Sequence, residues 1–378
     1  MTRRPFWFTL LFVMLFAAGC ASAPAPPPPA VATRLAEMDR RGERLAGRYG
    51  IFLSPVDGSE MRQVYGGNRL RTSLRVSPDG EWVTYVEYTG DENNDGVIGE
   101  GDYKNAEIGM MRVDGTDAHL LTSNEQVDIA PTWSPDGEHI MFASDRDNEE
   151  FRLDLFIMDR NGENVTAVTR TPDVVESDPS WGGTHVAFVR VTQDDQHQAV
   201  WLMDCDPDDL DGCGANARQF TFPLEGREGD INYVCCDFTP RISPDGEQVA
   251  FYRHQNEDWS IGSYAIGDWD IIIKSIEGGV ETVVSQGTEA DLMQAWSPDG
   301  KRFVFRLIAP GAEGAELENV NDLMVMDRDG GNRVKVEGEL DVLFEQMADW
   351  VPAGALGDND EPWLIFAAEW WDGNPESD

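Results

Sequence analysis

Short apolar runs alternating with polar positions, and separated by turn residues, recur along nearly the whole chain after residue 48. His139-Ile140-Met141-Phe142, Val249-Ala250-Phe251-Tyr252 and Arg302-Phe303-Val304-Phe305 are representative. They are rich in β-branched and aromatic side chains, too short for helices, and bounded by Gly, Pro, Asp and Ser, so they predict β-strands. The turns repeat as well. Ser-Pro-Asp-Gly stands at 77–80, 134–137, 243–246 and 297–300, each time just before such a run. Pro presets φ for the second turn position, Asp hydrogen-bonds back onto the turn backbone, and Gly takes the positive φ that ends a tight hairpin. The first two copies lie 57 residues apart and the last two 54, while the central gap of 109 holds two units. Pro179-Ser180-Trp181-Gly182-Gly183 is the degenerate copy expected there. A second turn recurs in each unit, as Val113-Asp114-Gly115, Met158-Asp159-Arg160-Asn161-Gly162, Ile276-Glu277-Gly278-Gly279 and Met326-Asp327-Arg328-Asp329-Gly330. Each unit therefore predicts a four-stranded antiparallel meander.

The two ends look like halves of one further unit. Tyr49-Gly50-Ile51-Phe52-Leu53 and Met61-Arg62-Gln63-Val64-Tyr65 flank Pro55-Val56-Asp57-Gly58 as an outer hairpin, and the segments starting at Met347 and Trp363 supply an inner one. Five whole units plus this composite predict an all-β, six-bladed β-propeller, closed by N-terminal outer strands pairing with C-terminal inner strands. The alternative is an open array of meanders with unpaired edges. The repeated turn, with Trp before Ser at 133 and 296, resembles the Trp-Ser-Pro-Asp-Gly signature of the TolB-like β-propeller family over about residues 48 to 370. That resemblance implies the fold and says little about function. Too few residues precede the first blade for TolB's own N-terminal domain, so what TolB does through that domain is not carried over.

The chain divides into a leader at 1–19, a tether at 20–47, the propeller at 48–372 and an acidic tail at 373–378. Arg3-Arg4, the apolar run from Phe6 to Phe16 and Ala17-Ala18-Gly19-Cys20 read as a bacterial signal peptide with a lipobox-like end. The resemblance to bacterial lipoproteins implies lipidation of Cys20 and a place in the cell envelope, at the outer membrane or periplasm. An ordinary secretory peptide is the competing reading. The Pro-rich stretch after Cys20 suits an extended spacer. Membrane contact is then through the lipid anchor alone, since the leader is too short to span comfortably.

Charge narrows the partners. With 70 acidic and 29 basic residues the net charge is −41, which excludes nucleic acid as a natural partner, because phosphate binding needs a basic surface. It favours cations, a basic partner or a saline habitat. Cys205, Cys213, Cys235 and Cys236 fit an oxidising compartment; three connectivities are open, with Cys205 to Cys213 favoured because they bracket one acidic turn expansion.

The chain from Asp91 to Asp102 carries oxygen ligands at Asp91, Asn93, Asp95 and Asp102, with Gly96 at the bend and the Val97 carbonyl at position seven. It resembles EF-hand and dockerin calcium loops, with Asp for the usual Glu at position twelve. The resemblance implies a structural Ca²⁺ grafted between two strands; a solvated acidic turn is the alternative. Blade alignment places a second pattern, Arg71, Asp128, Glu176, Asp237, Asp291 and Glu345, at the entry of the innermost strands, as a ring around the channel mouth on the calcium-loop face. Crowded carboxylates there would raise pKa values unless a cation or Arg71 compensates, though acidic residues are also common in turns. Trp259, Tyr264, Trp269, Trp370 and Trp371 fall on the same loop-rich face. Exposed, they are binding anchors; otherwise they cover blade edges.

Catalytic patterns are sparse. No Gly-x-Ser-x-Gly elbow, His-Glu-x-x-His motif or phosphate loop occurs. A lyase-type propeller wants clustered histidines, yet His119, His139 and His185 fall on the opposite face and leave only His197 and His254. The expectation is a monomeric, non-enzymatic propeller that binds another envelope protein, with glycan binding or cleavage as the alternative.

Overall fold

The computed structural model describes residues 49–67, 69–90, 105–148, 152–192, 198–222, 237–254, 269–285, 290–309, 320–336, 344–357 and 360–369. The first strands, β1 (Tyr49–Pro55) and β2 (Arg62–Gly67), form a hairpin. Five meanders follow in chain order. Blade one is β3 (Arg71–Val76), β4 (Trp82–Tyr88), β5 (Ala106–Arg112) and β6 (His119–Leu120); blade two is β7 (Asp128–Trp133), β8 (His139–Ser144), β9 (Asp154–Asp159) and β10 (Thr166–Ala167). Blade three is β11 (Val174–Gly182), β12 (His185–Thr192), β13 (Gln198–Asp204) and β14 (Arg218–Gln219); blade four is β15 (Asp237–Ile242), β16 (Gln248–His254), β17 (Trp269–Ser275) and β18 (Thr282–Val283). Blade five is β19 (Ala290–Trp296), β20 (Arg302–Ala309), β21 (Val320–Asp327) and β22 (Val334–Lys335). The last strands, β23 (Phe344–Val351) and β24 (Trp363–Glu369), join the first two in the order β2-β1-β24-β23 to make blade six. The chain is a six-bladed, all-β propeller.

The repeated turn is stabilised by its own side chains. In each of the four copies the Ser hydroxyl donates to the Asp carboxylate two residues on. That carboxylate accepts the N–H of Glu81, Glu138, Glu247 or Lys301 at 3.0–3.1 Å. The Ser oxygen also accepts the N–H that opens the next strand, at Trp82, His139, Gln248 and Arg302. Gly closes the turn at φ 67–74° with its N–H on the Ser carbonyl. These bonds explain why the same residue types recur: each satisfies a backbone group that would otherwise be left open.

The expected closure of the ring by strand pairing is corrected. β1 does run antiparallel to β24, from Tyr49 opposite Glu369 to Pro55 opposite Trp363. That pairing builds the sixth blade, and among the described residues no sheet returns on itself: each has two open edges. Blades four and five are even merged into one sheet, through a single parallel bridge between Trp269 and Ala290. The circle is held by contacts between blades. Ile51, Leu53 and Ile365 of blade six pack with Leu74, Val83 and Tyr85 of blade one, and Phe52 stacks on Phe366 inside the composite blade. Side-chain bonds add to this packing. Trp133 Nε1 donates to the Arg75 carbonyl, and Trp296 Nε1 to the Arg241 carbonyl, each at 3.0 Å and each from one blade to the one before. The Ser180 hydroxyl oxygen accepts the Ile242 N–H at 2.9 Å, and Asp349 Oδ2 accepts the Val76 N–H at 2.8 Å, which links blade six to blade one.

Candidate functional site

Every innermost strand carries a bulge, where two residues of the strand face one of its partner. In five blades a non-glycine residue there is left-handed: Ser73, Ala130, Asp178, Thr239 and Met347, at φ 45–54°. Such a conformation is costly for an L-residue, so its repetition shows that packing around the channel imposes it. The bulge sets the register that positions the ring residues named from sequence.

Four of those residues, Asp128, Glu176, Asp237 and Asp291, are paired with an arginine of their own blade. Asp237 lies opposite Arg253 in the register, fully buried, and receives Arg253 Nε at 2.5 Å and Nη2 at 2.8 Å. Glu176 lies opposite Arg190 and receives its Nε at 2.8 Å. Asp128 is bound by Arg146 Nη2 at 2.8 Å, the Ser144 hydroxyl at 2.5 Å and the Asn124 amide at 2.8 Å. Asp291 receives Arg333 Nη2 at 2.5 Å. Blade one reverses the polarity: Arg71 is on the inner strand and Glu87 opposite it, with Arg71 Nε on Glu87 at 2.6 Å. Its guanidinium lies between Tyr65 and Tyr85, 3.3 and 4.4 Å from the ring centroids. Burial pushes the Tyr85 hydroxyl up to about 12 despite the nearby Arg71 charge, so it stays neutral. For Arg253 burial works against the charge, but hydrogen bonds to Asp237 and Glu281 outweigh it and push the guanidinium above its ordinary value. Glu345 sits in β23 opposite Ala368. Five of the six ring positions are thus engaged in ion pairs within their own blades.

A second charged group lies further along the inner strands. Arg75 of blade one interacts with both Asp178 of blade three and Asp349 of blade six. Burial holds the Arg75 guanidinium below its ordinary value and pushes the Asp178 and Asp349 carboxyls up, with Arg75 opposing the shift in both. This triad, like the arginine partners of the ring, escapes the sequence reading. Aligning second strands would have found Glu87 and Arg253, which both lie ten residues beyond their turn Ser; nothing comparable marks the triad.

Other named residues fall as follows. Cys205 and Cys213 form a disulfide across the acidic turn, and the Trp181 indole donates to the Cys205 carbonyl at 3.0 Å. Trp269 is corrected as a binding anchor: only 1% exposed, it packs edge-on against Phe238 and Tyr252. Cys20, Cys235, Cys236, His197, the loop with Asp91, Asn93, Asp95, Val97 and Asp102, and the aromatics Trp259, Tyr264, Trp370 and Trp371 lie outside the described residues. Among the described residues no group of three or more His, Cys, Asp or Glu is arranged to hold a metal, and no helix is long and apolar enough to cross a membrane. His139 and His185 each sit beside a carboxylate, 3.6 Å from Asp159 and 3.7 Å from Asp204.

Comparison with known proteins agrees with this architecture. The chain superposes on a putative TolB from Agrobacterium tumefaciens with a TM-score of 0.58 and 15% identity, over 86% of this chain and 99% of that one. It also matches TolB from Acinetobacter baumannii, with a TM-score of 0.47 and 18% identity over 76% of this chain and 63% of that one. An oligogalacturonate lyase in complex with manganese matches at 0.48 and 13%, over 83% and 81%. In sequence, the chain is 29% identical over 224 residues to the uncharacterized protein Atu1656 of Agrobacterium fabrum, over 55% of this chain and 63% of that protein's length. No protein-family model matches. The fold is that of a distant TolB-like six-bladed propeller.

Proposed function

We propose that this chain is a cell-envelope lipoprotein whose propeller serves as a non-enzymatic protein-binding or scaffolding module. In this reading Cys20 carries the lipid, Ca²⁺ is held by Asp91, Asn93, Asp95, Val97 and Asp102, and a partner, basic where it meets the −41 chain, docks on the loop-rich face. The observation that carries the reading is the ring. Asp128, Glu176, Asp237 and Asp291 each hold an arginine at 2.8 Å or less, which commits their carboxylate oxygens to structural hydrogen bonds. An acid–base catalyst needs a carboxylate within hydrogen-bond reach of substrate, and these are engaged by arginine instead. The propeller fold alone carries no reaction.

Deleting residues 259–267, which leaves the buried Trp269 in place, and comparing proteins captured from envelope extract tests the binding face. Loss of specific partners supports it; an unchanged set rejects it. Turnover of acidic or neutral polysaccharides by the purified chain would reject the non-enzymatic reading. Calorimetric titration of chelator-treated protein should show Ca²⁺ binding that Asp95→Ala abolishes.

A further inference from the structure

Four blade junctions share one contact. The glycine of the turn between a blade's third and fourth strands sits hard against a carbonyl of the preceding blade. A Cβ added at Gly115, Gly162, Gly214 or Gly330 would meet the carbonyl oxygen of Val64, Leu121, Val168 or Val284 at 1.9, 2.6, 2.5 or 2.2 Å. Between blades three and four this contact is missing. Gly278 and Gly279, in the corresponding turn, have nothing within 4 Å of such a Cβ. The carbonyl at the equivalent place, that of Phe220, accepts Lys274 Nζ at 2.7 Å instead.

The gap is a groove of about 300 Å³ whose lining includes His185, Arg218, Phe222, Lys274 and Glu277. Phe222, 68% exposed, and Val280, 90% exposed, are the most exposed large apolar side chains among the described residues. Phe222 lines the groove, and Val280 follows the glycine pair that forms part of its wall. The charge of the lining is also unusual for this chain. Arg218 and Lys274 stand against Glu277 in a protein with 70 acidic and 29 basic residues. Lys274 is committed to the Phe220 carbonyl and lies 3.6 Å from Glu281. Arg218 and His185 lie 3.8 and 3.7 Å from Asp204, too far for a hydrogen bond, so Arg218 keeps donors for a ligand.

We propose that this groove docks an extended peptide segment of a partner protein, with a carboxylate on Arg218 and a neighbouring large apolar side chain against Phe222 and Val280. Peptide backbone fits the space, since backbone is what fills it at four other junctions. The cationic lining selects an acidic segment, and an exposed aromatic beside a polar rim is the usual anchor of such contacts. The site lies on the face of the Ser-Pro-Asp-Gly turns and is independent of the loop-face reading above.

The test selects a phage-displayed random decapeptide library on the full chain, with subtraction on Arg218→Glu/Phe222→Ala. Both side chains are solvent-accessible, and an unchanged melting temperature would show that the variant is folded. Enrichment of peptides with Asp or Glu beside a large apolar residue is expected. A synthetic winner should bind the variant at least about tenfold more weakly and slow hydrogen exchange only at 218–222 and 274–280. No enrichment after subtraction, enrichment of basic peptides, or protection elsewhere overturns the proposal. So does protection of these amides by maltose when no selected peptide protects them.

Discussion

Removing Arg253 should strand the Asp237 carboxylate. That carboxylate is fully buried and receives two Arg253 nitrogens, while the same guanidinium reaches Glu281 at 2.6 Å. Taking one partner from a buried pair costs about 3–5 kcal/mol, because the remaining charge keeps its desolvation penalty without its counter-ion. Arg253→Met is therefore expected to lose about that much. With ~2.1 cal/mol/K of unfolding entropy per residue, a propeller of this size should melt about 4–7 °C lower. Asp237→Leu in addition removes the stranded charge, and the double variant should return to within about 2 kcal/mol of wild type. Guanidinium unfolding followed by tryptophan fluorescence supplies the four corners of the cycle. A loss under about 1 kcal/mol for Arg253→Met, or a double variant worse than either single one, would refute the claim that the ring is a set of structural ion pairs.

Further outcomes follow from the same geometry. Burial raises the Asp178 carboxyl above its ordinary 3.8; such an acid favours the fold when protonated and loses that contribution as pH rises through its folded value. The stability of Asp178→Asn relative to wild type should therefore increase from about pH 4 to pH 7, and a flat difference in urea midpoint across that range contradicts it. Gly115→Ala drives a methyl to 1.9 Å from the Val64 carbonyl at φ 87°, whereas Gly278→Ala meets only the strain of φ 95°. Thermal melts should show a loss of about 2–4 kcal/mol for the first and about 1–2 for the second; equal losses count against the open junction. Converting Cys205 and Cys213 to Ser releases a bridge between residues eight apart, which should lower stability by about 2–3 kcal/mol, measured by urea unfolding against wild type.

What was legible in the chain was local. Ser77, Asp79 and Gly80 satisfy one another within four residues, so the turn must repeat in sequence wherever it repeats in space. Cys205 and Cys213 were readable for the same reason, as two ends of one short turn. The ring residues could be named because they stand at a fixed distance from that turn. The bulge between the ring and the turn is not legible, because the left-handed residues in it share no chemistry: Ser73, Ala130, Asp178, Thr239 and Met347. A conformation imposed by surrounding blades leaves no mark on residue type. Trp269 was misread because the start of β17 adjoins a long insertion, and only the packing with Phe238 and Tyr252 shows which side of that boundary it occupies. The open junction at Gly278 is equally invisible, since that turn reads like the others.

The claim on which the rest depends is that the two ends of the chain share one blade, with Gly50 directly opposite Ala368. Mild oxidation of Gly50→Cys/Ala368→Cys, with the native cysteines 235 and 236 changed to Ser, should give an intramolecular disulfide that joins the ends, because paired antiparallel Cα atoms lie within disulfide reach. A peptide map with that crosslink, and none for the offset pair Gly50→Cys/Leu364→Cys, is the outcome expected. Free thiols in the aligned pair, or equal crosslinking in both, would show that the terminal strands are not in this register and would contradict the composite blade.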